Sequence, residues 1–347
     1  MSNFVAGSKQ SARDLVSKEM RINLVLGHQL PFPPVQGGGV NNLLWMLARR
    51  FRQLGHSVSV CSPLAEGFAC EETDQYGIAH YRMPGARMRR GTWANNLSGF
   101  PYAFHVWCRL PIGDVTSFHA PFSFMLRYRR GIGVCTHTIH RTPKWIVRLY
   151  GGMDRIYAGS HATVKEASAI APGIAMRLKA VHNCIDVCDD PPNASAMVGS
   201  ALSLIYVGRF TPDKGLYSFI SGAVDAICDG FDVRVSTIGP QQDEEGGESA
   251  FFEAMCRLVG EKGVASRFRF LPSINNRVQL LAEVDKHDAF CLPSISGETF
   301  SMAGLEAMSR AKPLLTSDYG PMPEMVDEGV NGFTVAKIGR ASCRERV

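Results

Sequence analysis

The sequence predicts an α/β protein of two domains, each built on a doubly wound parallel sheet. Short apolar runs alternate with stretches whose apolar residues recur at helical spacing, the order that gives parallel strands with helices on their faces. The length of 347 residues exceeds what one ordinary core organises and fits two domains. Between two such alternating halves lies VCDDPPNASAMVGS (187–200), with adjacent prolines and small polar residues, a linker by composition. The expected organisation is a tail over 1–19, a first domain over 20–190, a second over 191–337 and a tail over 338–347.

In the first half, RINLVLG (21–27) is a compact apolar strand. The following HQLPFPPVQGGG, with three prolines and three glycines, cannot be regular structure. Val40, Leu43, Leu44, Leu47, Phe51 and Leu54 then recur at helical spacing, Gly55 ends that helix, and SVSVC (57–61) completes a strand, helix, strand unit. From Pro63 to Pro121 the periodicity is poor and only fragments can be placed. Strands return at 133–138 (GVCTHT), 154–160 and 179–186. The second half alternates more cleanly. Strands are expected at 202–210, 232–239, 268–272, 288–293 and 313–317, helices at 215–227, 248–259, 276–284 and 301–309, and a solvated acidic loop at 241–249.

Hydrophobic residues make up 45% and charged residues 20% of the chain, a globular composition, and no apolar run approaches the roughly 20 residues of a membrane-spanning helix. Residues 1–19 lack a secretory apolar core, so translation is expected to start at Met1 or at Met20, which opens the first strand. The ten cysteines are scattered without a Cys-x-x-Cys, which argues for reduced thiols in a cytoplasmic protein rather than a zinc ribbon or redox dithiol. The net charge of +5 is uneven: residues 20–190 hold 19 Lys/Arg and 10 Asp/Glu, residues 191–337 hold 12 and 19. The basic half, with Arg127, Arg129, Arg130, Arg141, Lys144 and Arg148, reads as a solvated face or as a surface for anionic lipid, at the inner face of a membrane, or for a phosphorylated acceptor. No nucleic-acid partner is expected.

The candidate site centres on LPSISGETFSMAGLEAMSRAKPLLTSDYGPMPEMVDEGVNGF (292–333). Glu298 and Glu306 lie eight residues apart around an expected helix start, where the backbone N–H groups of Thr299, Phe300, Ser301 and Met302 form a ready anion site. Glu306, about 7.5 Å along that helix, is placed to accept bonds from sugar or ribose hydroxyls. Arg209 and Lys214 follow a strand, a planar fork and a point charge suited to a diphosphate, although Pro212 and Asp213 favour a charged turn there in any case. Gly37, Gly38 and Gly39 leave the backbone bare before a helix, either for close approach of phosphate or sugar or for a tight loop. His137 falls at a strand's C-terminal end, where ligands of open α/β sheets bind, though a lone histidine is more often structural.

These residues together resemble glycosyltransferase family 4, retaining sugar-nucleotide transferases of the GT-B fold. The resemblance spans 20–337 and rests on PPVQGGGVNNLLWMLARRFRQLGHSVSV, THTIHRTPKW, DRIYAGSHA, HNCID, YVGRFTPDKGL and the 292–333 segment with its Glu298-x7-Glu306 pair. It implies a nucleotide sugar (UDP-, GDP- or another base) in a cleft between two Rossmann-like domains, mainly on the second. Arg209 and Lys214 would neutralise the diphosphate, Glu298 hold donor-sugar hydroxyls, and Glu306 hold the ribose. The 37–39 loop would close over the phosphates and His137 would line the donor-sugar pocket. It implies no metal or other cofactor and a glycan or lipid-linked acceptor, as in cell-envelope polysaccharide synthesis.

Cys184 stands where the family has glycine in an Asn-Gly-Ile-Asp turn. IGRASCRERV (338–347) carries no strand or helix pattern and resembles translated adapter sequence, so a C-terminally truncated chain is expected. Two other functions follow from the same sequence: a non-catalytic nucleotide-binding or interaction module of this fold, and an NAD-dependent oxidoreductase, which lacks the G-x-G-x-x-G fingerprint.

Overall fold

The structure, a computed structural model of the chain, describes residues 18–34, 38–85, 99–187, 201–242 and 247–335. Residues 1–17 of the expected 1–19 tail, 188–200 of the expected 187–200 linker and the whole 338–347 tail lie outside these residues. The chain divides into two compact units: Met1–Ala158 with Val164–Val181, and Gly159–Thr163 with His182–Val347.

The first unit carries β1 (Arg21–Val25), α1 (Gly39–Gln53), β2 (Ser57–Pro63), β3 (Glu71–Thr73), β4 (Ala79–Met83), α2 (Phe100–Arg109), β5 (Val115–Phe118), α3 (Ser123–Leu126), β6 (Val134–Ile139) and β7 (Arg155–Ala158). Then come α4 (His161–Ile170), whose first turn clusters with the second unit, and β8 (Leu178–Ala180). The sheet order is β3-β4-β2-β1-β5-β6-β7-β8, parallel throughout except for β3 against β4. Side chains alternate across it. Ile22 and Leu24 of β1 join Val58, Val60, Leu44 and Ala48 beneath α1, while Val25 joins Cys61, Phe118, Ile156 and Val106 on the other face.

Four elements fall in the stretch the sequence left unpatterned. β3 is EET, without an apolar residue, and pairs antiparallel at the sheet edge. β4 is AHYRM, whose strand pattern is interrupted by two buried polar side chains. Its Arg82 is buried, donating to the carbonyls of Phe32 and Ala69 and pairing with Glu72 at 2.7 Å. α2 and β5 are the other two. β8 is shorter than the expected 179–186 strand because the chain leaves the sheet at His182: there His182 approaches Glu324 and the Asn183 amide donates to the Phe300 carbonyl, both in the second unit. The second unit therefore starts before the expected boundary near Pro191.

The second unit carries β9 (Leu202–Val207), α5 (Leu216–Cys228), β10 (Val233–Ile238), α6 (Ser249–Glu261), β11 (Phe268–Leu271), α7 (Arg277–Asp285), β12 (Ala289–Leu292), α8 (Met302–Ser309), β13 (Leu314–Ser317) and β14 (Gly332–Val335). The order β11-β10-β9-β12-β13-β14, all parallel, is that of a Rossmann sheet, 3-2-1-4-5-6. Leu204 and Tyr206 pack with α5 and α6, while Ile205 between them packs with α7 and α8. Every strand expected in this half is present, and β14 is added at the edge. No helix among the described residues is long and apolar enough to cross a membrane.

The chain order reverses between β9 and β12, so the loops leaving these two neighbours diverge and open a crevice at their C-terminal ends. Gly215, which joins the Pro212–Lys214 turn to α5, holds the two loops together. Its φ is +66°, and a Cβ there would stand 1.9 Å from the Pro293 carbonyl oxygen. Gly215→Ala is expected to cost about 1–3 kcal/mol in urea unfolding through backbone strain alone, more if the loops part. A loss below about 0.3 kcal/mol would show that this closure constrains nothing.

Candidate functional site

The crevice of the second unit brings together most of the residues singled out from sequence. After β9, the Tyr206 hydroxyl donates to the Arg209 carbonyl at 2.8 Å and fixes the strand exit. The Asp213 carbonyl accepts from Ile295 and Ser296 N–H at 3.1 and 3.2 Å, tying this loop to the one after β12. Lys214 Nζ donates to Glu298 Oε1, so the two loops also meet through a charge pair that is mostly shielded from water. Arg209 is over half exposed and approaches Asp213 at 3.3 Å, a contact of little energetic weight at such exposure. Two cations thus stand beside two carboxylates, and the crevice is charge-balanced.

α8 starts at Met302, one residue later than expected. Ser301 is its N-cap, and its hydroxyl accepts from Gly304 N–H at 3.2 Å. The helix start therefore presents the N–H groups of Met302 and Ala303, with Thr299, Phe300 and Ser301 buried in the turn before it. Phe300 enters the core on the α8 side. Glu306, in the middle of α8, sits beside Val207, Leu280 and Ala303. Burial there pushes its carboxyl upward, opposed by Arg277, whose Nε donates to it at 3.1 Å. Arg277 is a site residue the sequence reading missed. Its signal was its place in the first turn of the helix expected over 276–284.

In the first unit, α1 begins at Gly39 on an N-cap, Gly38, with φ +103° and no side-chain capping bond. The glycine run thus meets an open helix start; Gly37 lies outside the described residues. β6 extends to Ile139, which places His137 inside the strand rather than at its end. His137 is buried, hydrogen-bonded at 3.0 Å to the Ser123 hydroxyl and packed against Tyr150 with ring centroids 3.9 Å apart and planes tilted by 32°. The strand end instead carries His140, which shares a 2.8 Å hydrogen bond with His119 at the end of β5. His119 also meets the Ser117 hydroxyl at 3.1 Å, and its N–H donates to the Val25 carbonyl of β1. Sequence reading missed His119 because β5 lay in the unpatterned stretch.

A cavity of about 540 Å³ lies near the N-terminal ends of β9, β10 and β11. It is lined by Arg234, Arg267, Arg269 and Lys286, and the last three are paired with Asp232 or Glu283. The strand-end crevice, not this cavity, holds the residues suited to a ligand. Among the described residues, one trio has side chains of the type and spacing to hold a metal: His161, His182 and Glu324 in the second unit.

Burial lowers the affinity of His119, His140 and His137 for a proton: His119 well below the usual range, His140 to about 4 and His137 to about 3, with the neighbouring Arg141 charge adding to the effect at His140. They are neutral in the folded chain at neutral pH. Below about pH 6.5 only the unfolded chain takes up these protons, so folding stability falls as pH drops from there toward the folded values. Urea unfolding should show this loss between about pH 6.5 and 4, and His137→Gln should make the slope shallower. An unchanged slope in the variant would show that His137 titrates alike in both states.

Two family descriptions match the chain side by side: Glycosyltransferase Family 4 over residues 37–188 and Glycosyl transferases group 1 over residues 194–340. A phosphatidyl-myo-inositol mannosyltransferase of Mycolicibacterium smegmatis is 23% identical over 337 residues, covering 91% of this chain and 81% of that protein. A glycogen synthase of Mycobacterium tuberculosis is 26% identical over 206 residues, 59% of this chain and 46% of that protein, so the chain spans about half the length of the glycogen synthases it matches. Among solved structures, sucrose-phosphate synthase from Thermosynechococcus elongatus has a TM-score of 0.71 at 16% identity, covering 92% of this chain and 86% of that one. Anabaena Alr3699/HepE in complex with UDP-glucose has a TM-score of 0.68 at 18% identity, with the same coverages of 92% and 86%. At such identities the likeness to solved structures is one of fold. With both halves matched and both sheets of Rossmann type, the chain belongs to the family 4-like glycosyltransferases of the GT-B fold.

Proposed function

We propose that the chain transfers a sugar, of the hexosyl class, from a nucleoside-diphosphate sugar to an acceptor hydroxyl with retention at the anomeric carbon. The observation that carries this reading is the meeting of Arg209, Lys214 and Glu298 at the reversal point of the second sheet, next to the start of α8. In such a transfer the bond from the anomeric carbon to the diphosphate oxygen breaks, a bond from that carbon to the acceptor oxygen forms, and the acceptor's hydroxyl proton passes to the departing diphosphate. The leaving diphosphate gains negative charge, so fixed cations and helix N–H groups stabilise the transition state more than the bound donor.

In this reading Arg209 and Lys214 take the diphosphate, with Met302 and Ala303 N–H at the helix start. Lys214 gives up Glu298 as it does so, and the freed carboxylate accepts from donor-sugar hydroxyls. Glu306 exchanges Arg277 for the ribose. With Arg and Lys supplying the positive charge, no metal is required for the chemistry. From the first unit, Gly38 and Gly39 with their open helix start, and His137 within the histidine group, are assigned to the donor as the family resemblance implies. No carboxylate nucleophile is assigned.

Relatives named for phosphatidyl-myo-inositol and colanic acid support a glycan or lipid-linked acceptor and a place in cell-envelope synthesis. Exposed Arg130, Arg141, Lys144 and Arg148, together with exposed Tyr128 and Trp145, give the first unit side chains suited to contact with an anionic membrane surface.

Calorimetric titration with UDP, GDP and ADP tests the donor assignment. One of them should bind, and Arg209→Ala or Lys214→Ala should weaken it about tenfold or more, equivalent to about 1.4 kcal/mol. Glu298→Gln should keep nucleoside-diphosphate binding and lose transfer. Absence of binding to every nucleoside diphosphate would overturn the reading, and binding without transfer to any acceptor would favour a non-catalytic nucleotide-binding module.

A further inference from the structure

We propose that His161, His182 and Glu324 form a divalent-cation site, of the kind zinc occupies with two imidazoles, one carboxylate and a water. Their ligand atoms all lie within 4.8 Å of one another. The three come from separate pieces of chain, the first turn of α4, the segment after β8 and the turn Met322–Met325, and all belong to the second unit.

The carboxylate is already aimed. Glu324 accepts from His161 N–H at 2.8 Å through Oε2 and from Ala162 N–H at 2.6 Å through Oε1, so the backbone of one ligand anchors the side chain of another. A carboxylate has about four lone-pair positions, and two N–H bonds leave room for a metal. Such outer bonds are what orient metal-bound carboxylates in general. The His182 ring is held by stacking on Phe300, with centroids 4.8 Å apart and planes 15° from parallel, and it stands edge-on to His161 at 5.9 Å. His182 Nε2 lies 3.3 Å from Glu324 Oε2. That is long for a charge-assisted hydrogen bond, and it matches the edge of a tetrahedron about 3.3 Å long that zinc–nitrogen and zinc–oxygen bonds of about 2.0–2.1 Å generate.

His161 is exposed and its ring can turn toward the ion without disturbing the core. The positive end of α4 disfavours a cation, and the Glu324 charge at that end offsets it. On binding, the ion takes the place of any proton shared by His182 and Glu324, and that proton goes to solvent. The ion ties three chain segments together and fixes His182 against Phe300, the residue before the α8 cap. Its role is structural, and it does not depend on the transfer reaction.

The test uses the full chain and zinc alone, by equilibrium dialysis with elemental analysis, together with cobalt(II) absorption and thermal unfolding. The expected result is one zinc per chain, intense tetrahedral-type cobalt bands and a raised unfolding temperature. His161→Ala and His182→Ala, both at exposed positions, should each weaken binding about tenfold or more, and the double variant should lose the thermal shift while keeping its unfolding temperature without metal. Uptake well below one zinc per chain, weak octahedral-type cobalt bands, or equal uptake by the double variant would each overturn the proposal.

Discussion

The contact between the loops after β9 and β12 is the constraint on which the candidate site depends. Parallel neighbours that run outward in opposite chain order leave a gap at their ends, and this chain bridges the gap three ways: the Asp213 carbonyl accepts from Ile295 and Ser296, Lys214 meets Glu298, and Gly215 passes under Pro293. Remove the bridge and Arg209, Lys214 and Glu298 become side chains on two independent loops. The sheet gives the crevice its position; the bridge gives it a fixed arrangement of charge.

That arrangement is internally paired. Lys214 is matched by Glu298, Arg209 by Asp213 and Glu306 by Arg277. At Lys214 and Glu298, both mostly shielded from water, an unpaired charge would be costly. A ligand that offers oxygen anions to the cations and hydroxyls to the carboxylates replaces one set of bonds by another, so its net gain is the difference between two satisfied states. Discrimination then falls on ligands that complete both halves of the exchange, because one that satisfies only the cations strands a carboxylate.

Legibility in the sequence followed burial. In the second unit, AFCL is buried at every position and LSLIYV over its central residues, so both read as mainly apolar runs and were placed to within a few residues. In the first unit, β4 hides behind Arg82 and His80, polar side chains buried against Glu72, Asp74 and the distant Phe32 carbonyl, and β3 has no apolar residue at all. The site followed the same rule. Lys214 and Glu298 stood out because each follows a clear strand. His119 did not, since β5 was not visible, and Arg277 did not, because its role comes from facing Glu306 across two helices. The His161, His182 and Glu324 trio spans more than 160 positions of sequence, and no local pattern points to it.

The central pair of the second sheet has a temporal side. β9 lies against β12, and the bonds that seal their lower ends join Ser203 to Asp288 across 85 residues. During synthesis, β9 therefore emerges with one flank uncovered and waits until α5, α6 and α7 have been made before its partner arrives. Ordering so long an intervening segment is slow, and in the interval an apolar strand edge is open to other chains. Nascent chains of this unit should accordingly depend on chaperones until the residues of β12 have left the ribosome, and the crevice can exist only from that moment on.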